Sequence, residues 1–541
     1  MTLRNRFGAR LATIAGLVGV LLATCGATAW GATYYSQGSV APNLVANWNT
    51  VRGGGGSAPV NFTSGDVFVI QNGHTMTTTA TWSILGTNSK LWIEGGGNLV
   101  AGSGTTANAL VLTSATAFQI DANGTYTHNN TAAYASAGPF PTGGLRTFDP
   151  ASTVILNATN NSLPSNNIAF GNLTVNLTTA PTANMSWAGN LQTVNGNFTV
   201  TNTGGFEMRL AASTTQTLTV AKDLIINGGN LQLGSGAGVT TLNIGYNFIM
   251  TSGTFGSSST AIHSVIFTGG SPLVGFTRSG GILTNSNMNW QIGAGKTLVL
   301  INDLTVATGR TLALGSGTII TNANKVIVSG ATLTRTTGYV SGNLQKSVSG
   351  AGTVNFEIGS TSGYTPVSVN FASVGGAGNL TAGVATPISA PPTGSGLSAS
   401  KYVNRSWTLT NGGIASPSYQ ATFSFINPGD LLGGATPASL IVAKDSGTWS
   451  NPGVSGTTSN SVTTTAGQTS FSDFYLGEPA AVTYTVAYAG NGNTGGTAPV
   501  DGSSPYNSGS TVTVLGNTGS LVKTGYTFAN WNTAADGSGT S

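Results

Sequence analysis

The sequence predicts an all-β chain. A right-handed parallel β-solenoid is expected over residues 33–350, an antiparallel Ig-like β-sandwich over 351–479, and a small module over 480–541. Three observations lead there. Apolar residues fall in short runs of Val, Ile, Thr and Phe separated by Asn and Gly, as in "DVFVIQNGHTMTTT" (66–79) and "KLWIEGGGNLVAG" (90–102). No apolar pattern at helical spacing is sustained beyond the first 30 residues. A strand unit recurs every 24–28 residues, the length of one solenoid coil.

Composition supports a folded chain despite its low charge. Charged residues are 6 % of the 541, against roughly 25 % in an average soluble protein. Hydrophobic residues are 39 %, arranged in alternating runs that can bury a core.

Residues 1–29 read as a secretory signal peptide. Arg4, Arg6 and Arg10 precede the apolar run Leu11 to Ala23, which is too short to span a bilayer comfortably, and Ala27-Thr28-Ala29 has the small-x-small form of a cleavage site. The expected product is secreted, extracellular or cell-surface, with no transmembrane span in the mature chain. The single cysteine, Cys25, lies inside this segment. Ordinary cleavage removes it; a lipidated Cys25 is the alternative. After cleavage no disulfide or thiolate metal site remains. The net charge of +4 falls as well: removing three of the 18 basic residues leaves 15 against 14 acidic. No basic patch remains for nucleic acid.

In the solenoid, four segments align over five positions: "VNGNF" (194–198), "VAKDL" (220–224), "IGYNF" (244–248) and "LINDL" (300–304). Their Asn or Asp stands at 197, 223, 247 and 303. Short polar side chains suit such turns because they bond nearby backbone and tolerate left-handed geometry. About a dozen coils at ~4.8 Å each would give a rod of roughly 60 Å. The Asn-x-Thr triplets follow from an Asn- and Thr-rich composition and are not read as glycan sites.

Near residue 350 the texture changes. "RSWTLTN" (405–411) and "YQATFSFIN" (419–427) alternate strictly, placing Trp407, Leu409, Phe423 and Phe425 inward. With "SLIVAKDSGTW" (439–449) and "SFSDFYLGE" (470–478), roughly seven strands suit a sandwich.

The last stretch carries "YTVAY" (484–488), "GNGNTGG" (490–496), Pro499, Tyr506, "TVTV" (511–514) and "LVKTGYTFANWNT" (521–533). This combination closely resembles the Listeria–Bacteroides repeat, the internalin-type B-repeat module of bacterial surface proteins. Asn530 departs from it, since the family usually has Gly there, and the family's further strand is missing after Ser541. The module is therefore expected to be truncated, with further tandem repeats beyond. The resemblance implies a small β-grasp-like unit on a secreted or wall-exposed protein, acting as spacer or adhesive module, and it brings no catalytic residues. Tyr526, Phe528 and Trp531 are expected in the module's core. Gly490, Gly492 and Gly495 satisfy G-x-G-x-x-G, but turn residues follow where a dinucleotide site needs a helix.

Chemistry finds little support. A β-helix polysaccharide lyase or hydrolase needs converging carboxylates, and the chain has ten Asp and four Glu. Asp223 and Asp303 share a repeat position, about three coils or roughly 14 Å apart, too far for a glycosidase pair. Asp121 with Asp149, and Glu207 with Asp223, are pairings that sequence leaves open. His74, His128 and His263 show no metal spacing, no G-x-S-x-G elbow or calcium loop occurs, and no cofactor is expected. Trp82, Trp92 and Trp290 are candidates for stacking on sugar rings, with burial as the alternative for each. The function expected is a non-enzymatic structural or adhesin-like surface protein whose ligand is a glycan or a protein. The alternatives are a non-catalytic glycan-binding protein or a β-helix lyase/hydrolase.

Overall fold

The computed structural model describes residues 31–541 apart from 132–137, 142, 165 and 270–272. The expected signal segment, its cleavage after Ala29 and Cys25 lie outside the described residues. The described chain is all-β, with two single-turn 3-10 helices at Val45–Asn47 and Pro437–Ser439.

Residues 33–348 wind into a β-solenoid of about 11 turns, against the dozen expected. Each coil contributes strands to three faces. The first face begins with Thr33–Ser36, Val67–Ile70, Lys90–Ile93, Ala117–Ile120 and Arg146–Phe148, and resumes as an eight-stranded sheet from Ala169–Phe170 to Thr332–Arg335. The second face is an unbroken parallel ladder from Thr75–Thr77 to Tyr339–Val348. The third is shorter and interrupted; Trp82–Ile84 pairs with Leu110–Leu112, and Met208–Ala211 pairs with the end of Leu224–Gly234. Below the first rung, first-face registers advance by 21 residues (Thr311 to Thr332) to 28 (Phe118 to Arg146).

Period-two patterning explains the coil. In Lys90–Ile93 the Leu and Ile are buried and their neighbours half-buried. Inward residues stack on their equivalents one coil away: Phe68 on Leu91 on Phe118, and Ile70 on Ile93 on Ile120. A coil alone would expose this row; each fully buried Leu, Ile or Phe contributes ~1.5–3 kcal/mol once stacked.

The corner before the second face is held by an amide ladder. The Asn172 side-chain oxygen accepts the Asn197 backbone N–H at 2.9 Å, and Asn197 in turn accepts that of Asp223 at 3.2 Å. Asp223 accepts both the backbone and side-chain N–H of Asn247, at 3.0 and 2.9 Å, and Asn247 accepts from Gly275 at 2.9 Å. Asp303 is not part of this column. Leu300 continues the second-face column through Phe276, whereas Leu304 pairs with Val326 on the third face. The fourth segment therefore sits at a different corner, and the shared position expected for Asp223 and Asp303 does not exist. At the following corner Gly229, Gly253 and Gly281 stack with φ of 66°, 76° and 76°. A Cβ on Gly253 would stand 2.5 Å from the Gly229 carbonyl oxygen, so side chains are excluded there.

Both ends of the solenoid are covered. Trp48–Asn49 pairs antiparallel with the first strand, and Trp48, Phe62, Phe68 and Trp82 form an aromatic plug with ring centroids 5.2–6.2 Å apart. At the other end Tyr339–Val348 pairs in parallel with Thr318–Ile327 and antiparallel with Gly378–Ala385, so one strand belongs to both solenoid and sandwich. The sandwich's first sheet continues through Leu397–Gly412, Asp473–Pro479, Ile441–Asp445 and Trp449–Ser450. Its second sheet orders Gly352–Phe356, Val367–Ser373, Ser418–Ser424, Ser461–Thr464 and Val454–Thr457. Trp407, Leu409, Phe423 and Phe425 are buried, as alternation predicts.

The last module is sparsely paired. Thr483–Tyr484 meets Tyr506–Asn507, and the remaining pairing is isolated bridges such as Gly495 to Val522. No strand forms at 511–514. Trp531 packs on Tyr488 and Phe528 and donates to the Leu515 carbonyl at 2.7 Å. Tyr526 is 74 % exposed and Phe528 42 %. The expected aromatic core is thus reduced to Trp531 and its contacts, because so short a ladder leaves no second layer to cover Tyr526.

Candidate functional site

The three tryptophans proposed for sugar stacking separate by strand parity. Trp82 and Trp290 are 1 % and 0 % exposed. Trp82 belongs to the plug, and Trp290 lies among Phe248, Phe267 and Phe276 with centroids 5.9–6.3 Å away. Neither ring can meet a ligand, which corrects both expectations. Trp92 points outward between buried Leu91 and Ile93 and is half-buried.

Trp92 is the centre of a polar belt on the first face. Its indole N–H donates to Asp121 at 2.8 Å, and the other Asp121 oxygen accepts from the Gln119 amide at 2.6 Å. The Lys90 ammonium stands 4.7 Å from the Trp92 ring centroid. Burial lowers the Lys90 amine from its ordinary value, and Asp121 opposes that shift. One coil earlier, Arg52 reaches out of the Gly-rich loop to Glu94, with one guanidinium bond at 2.9 Å, and lies 4.4 Å over the Tyr35 ring. Its hydrogen bonds hold the Glu94 carboxyl below the usual carboxylate range. Sequence gave no signal for this pair, whose members are 42 residues apart.

The folded chain also brings carboxylates together. Glu94, Asp121 and Asp149 each follow the last residue of a first-face strand, Ile93, Ile120 and Phe148, so they form one column on successive coils about 4.8 Å apart along the backbone. Each is engaged: Glu94 with Arg52, Asp121 with Trp92 and Gln119, and Asp149 with the Ala151 backbone N–H at 2.8 Å. Glu207 and Asp223 stand at different corners; Glu207 pairs with Arg209 at 2.7 Å. An unprotonated, Arg-bound Glu94 is poorly suited to donate a proton, so the belt's groups fit recognition by stacking and hydrogen bonding better than acid–base work.

The histidines are structural in placement. His74 Nδ1 accepts from Gly38 N–H at 3.2 Å and bonds the Ser36 hydroxyl at 2.8 Å. His263 Nδ1 accepts from Thr240 N–H at 3.0 Å, which puts the proton on Nε2, facing the Ser257 and Ser259 hydroxyls. His128 is buried against the Tyr126 hydroxyl at 3.1 Å. No group of three His, Cys, Asp or Glu able to hold a metal occurs among the described residues.

A cleft of about 290 Å³ lies where the solenoid meets the sandwich, with Arg335, Glu357 and Tyr364 in its wall. The Arg335 guanidinium stacks 3.8 Å over Tyr364, and Glu357 is paired with Lys346 at 2.6 Å. Arg335 is held by that ring and by the Thr337 carbonyl, and Glu357 by Lys346, which lies outside the wall.

Residues 484–541 match the Listeria-Bacteroides repeat domain family. No curated protein and no solved structure matches the chain. Among the described residues no helix is long and apolar enough to cross a membrane.

Proposed function

We propose that this chain is a secreted, surface-displayed structural protein, a rigid adhesin-like stalk that carries interaction modules and performs no catalysis. The observation that carries the reading is mechanical: a parallel ladder plugged at one end and sharing a strand with a sandwich at the other. About 11 turns at ~4.8 Å give a rod of roughly 50 Å. The repeat domain at the C-terminal end fits a surface role. The test has two parts. Negative-stain images or small-angle scattering of residues 31–541 should give an elongated particle whose long dimension exceeds that rod, since the sandwich is joined to its last rung. Protease treatment of intact expressing cells should remove the chain without lysis. A globular scattering profile, or a chain protected inside the cell, refutes the reading.

A second reading, non-catalytic glycan binding, is favoured by the outward Trp92 with its amide and carboxylate neighbours. Binding on a glycan array that is lost in Trp92→Ala, without release of reducing sugar, supports it. Sugar release would turn attention to the Glu94, Asp121 and Asp149 column as a catalytic group.

A further inference from the structure

The first face of the solenoid changes character after residue 190. In its eight-stranded sheet, outward positions fall in two columns that run along the solenoid axis. One column is Thr217, Thr241, Ser264 and Asn289, continued by Thr311 and Thr332. The other includes Thr219, Asn243, Gln291 and Thr334, with Ile266 and Ala313 its apolar members. Inward neighbours such as Leu218, Leu242 and Val265 are fully buried, so the columns face solvent.

No outward position on this sheet is charged, although ten charged residues lie between 193 and 335. They stand at corners or on other faces; Lys222 and Arg310 flank the strands, and Arg335 turns onto Tyr364. The hydrogen-bonding capacity of the columns is largely unspent. Asn243 donates to Thr219 at 3.3 Å and Asn289 accepts from Thr311 N–H at 2.9 Å. The side chains of Thr217, Thr241, Ser264 and Gln291 bond no other described residue.

We infer that this face docks a long neutral polysaccharide lying along the solenoid axis. Hydroxyl and amide groups recur at ~4.8 Å along the first column and at every one or two rungs along the second, and the columns stand about 7 Å apart, two residues along a strand. A ligand with hydroxyls repeated along its length can engage several rungs at once, and weak hydrogen bonds then add through multivalency. An anionic polymer finds no cation within the columns, only Lys222 and Arg310 beyond the strand ends. Within the columns a protein partner finds only Ile266 and Ala313, with single exposed Tyr246 and Ile262 at strand ends, where interfaces need a contiguous core of large apolar or aromatic anchors. The inference does not rest on Trp92, which lies on the earlier six-stranded sheet.

The test uses residues 31–541 in sedimentation with insoluble cellulose, chitin and β-1,3-glucan, in 0.1 M and 1 M NaCl. Retention on at least one polymer is expected, equal at both salt concentrations. It should fall at least tenfold in the double variant Thr217→Glu/Gln291→Glu, whose outward positions keep the fold intact by circular dichroism, and persist in Trp92→Ala. No retention on any of the three polymers overturns the inference. So does retention abolished by salt, unchanged in the double variant, or lost in Trp92→Ala.

Discussion

Removing the Asp430 carboxylate should loosen the joint between solenoid and sandwich. Arg405 is a fully buried guanidinium on the sandwich strand Leu397–Gly412. It grips Asp430 with two bonds of 3.0 Å, one from Nε and one from Nη2. Nη1 donates to the Ser360 hydroxyl at 3.0 Å and Nη2 also donates to the Ser362 hydroxyl at 3.1 Å, just after the solenoid's last parallel rung. Asp430 also accepts the Ile426 backbone N–H at 2.7 Å. In Asp430→Ala the guanidinium stays buried with two neutral hydroxyls and no counter-charge. Breaking one side of a buried pair costs about 3–5 kcal/mol, and the orphaned Ile426 N–H adds on the order of 1 kcal/mol. Urea unfolding followed by fluorescence of the buried Trp407 should show a loss in that range. The double replacement Arg405→Met/Asp430→Leu should recover most of it, since a well-packed apolar pair can substitute for a buried ion pair. A loss under 1 kcal/mol in Asp430→Ala, or no recovery in the double variant, refutes the argument that the pair is dry and mutually required.

Three further outcomes follow from single residues. Burial pushes His128 down to about 4, below its unfolded value of 6.5. Below pH 6.5 the unfolded chain takes up a proton that the folded chain refuses, so stability is full above pH 6.5 and falls by up to ~3 kcal/mol toward pH 4. Urea midpoints measured across that range should show this slope, and His128→Gln should flatten it. Trp290→Ala should cost about 3–5 kcal/mol by leaving a cavity between Phe248, Phe267 and Phe276, read as a lowered urea midpoint. Asn247→Ala should cost about 1–2 kcal/mol, because the Gly275 N–H and Asp223 both lose a partner; hydrogen exchange at Gly275 should accelerate, and an unchanged rate would remove Asn247 from the ladder.

What the sequence made legible was local and periodic. Parity in "RSWTLTN" placed Trp407 and Leu409 correctly, and the same parity was available for the tryptophans. In "MNWQI" Trp290 alternates with Asn289 and Gln291, so it points inward; in "KLWI" Trp92 is the odd member between Leu91 and Ile93, so it points outward. The column 197, 223, 247 was readable because those coils differ by only two residues in length. The fourth segment misled because the two intervening coils advance the second face from Phe248 to Phe276 and then to Leu300, four residues short of the spacing between Asn247 and Asp303, which moves "NDL" past the second face to the start of the third. The Arg52–Glu94 pair and the Arg405–Asp430 clamp were out of reach. Both join segments whose meeting depends on coil lengths and on the turn that starts the sandwich, neither of which a single sequence encodes as a pattern.

The two ends of the solenoid bear on how so uncharged a chain limits edge-to-edge pairing between copies. A parallel ladder presents unpaired N–H and C=O groups at its first and last rungs, a template for another copy of itself. Proteins commonly blunt such edges with charge, and only 6 % of this chain is charged. Here covering takes the place of repulsion. The antiparallel strand Trp48–Asn49 occupies the first-face edge while the aromatic plug fills the space beneath it, and the sandwich takes the last rung through Tyr339–Val348. With the first-face edge covered at one end and the second-face edge at the other, the side surfaces are freer to carry Thr, Asn and Ser in place of Lys and Glu. The uncharged eight-stranded part of the first face and the covered end rungs are therefore linked: a stretch neutral enough to receive a neutral polymer is better tolerated on a rod whose end rungs are less open to another rod.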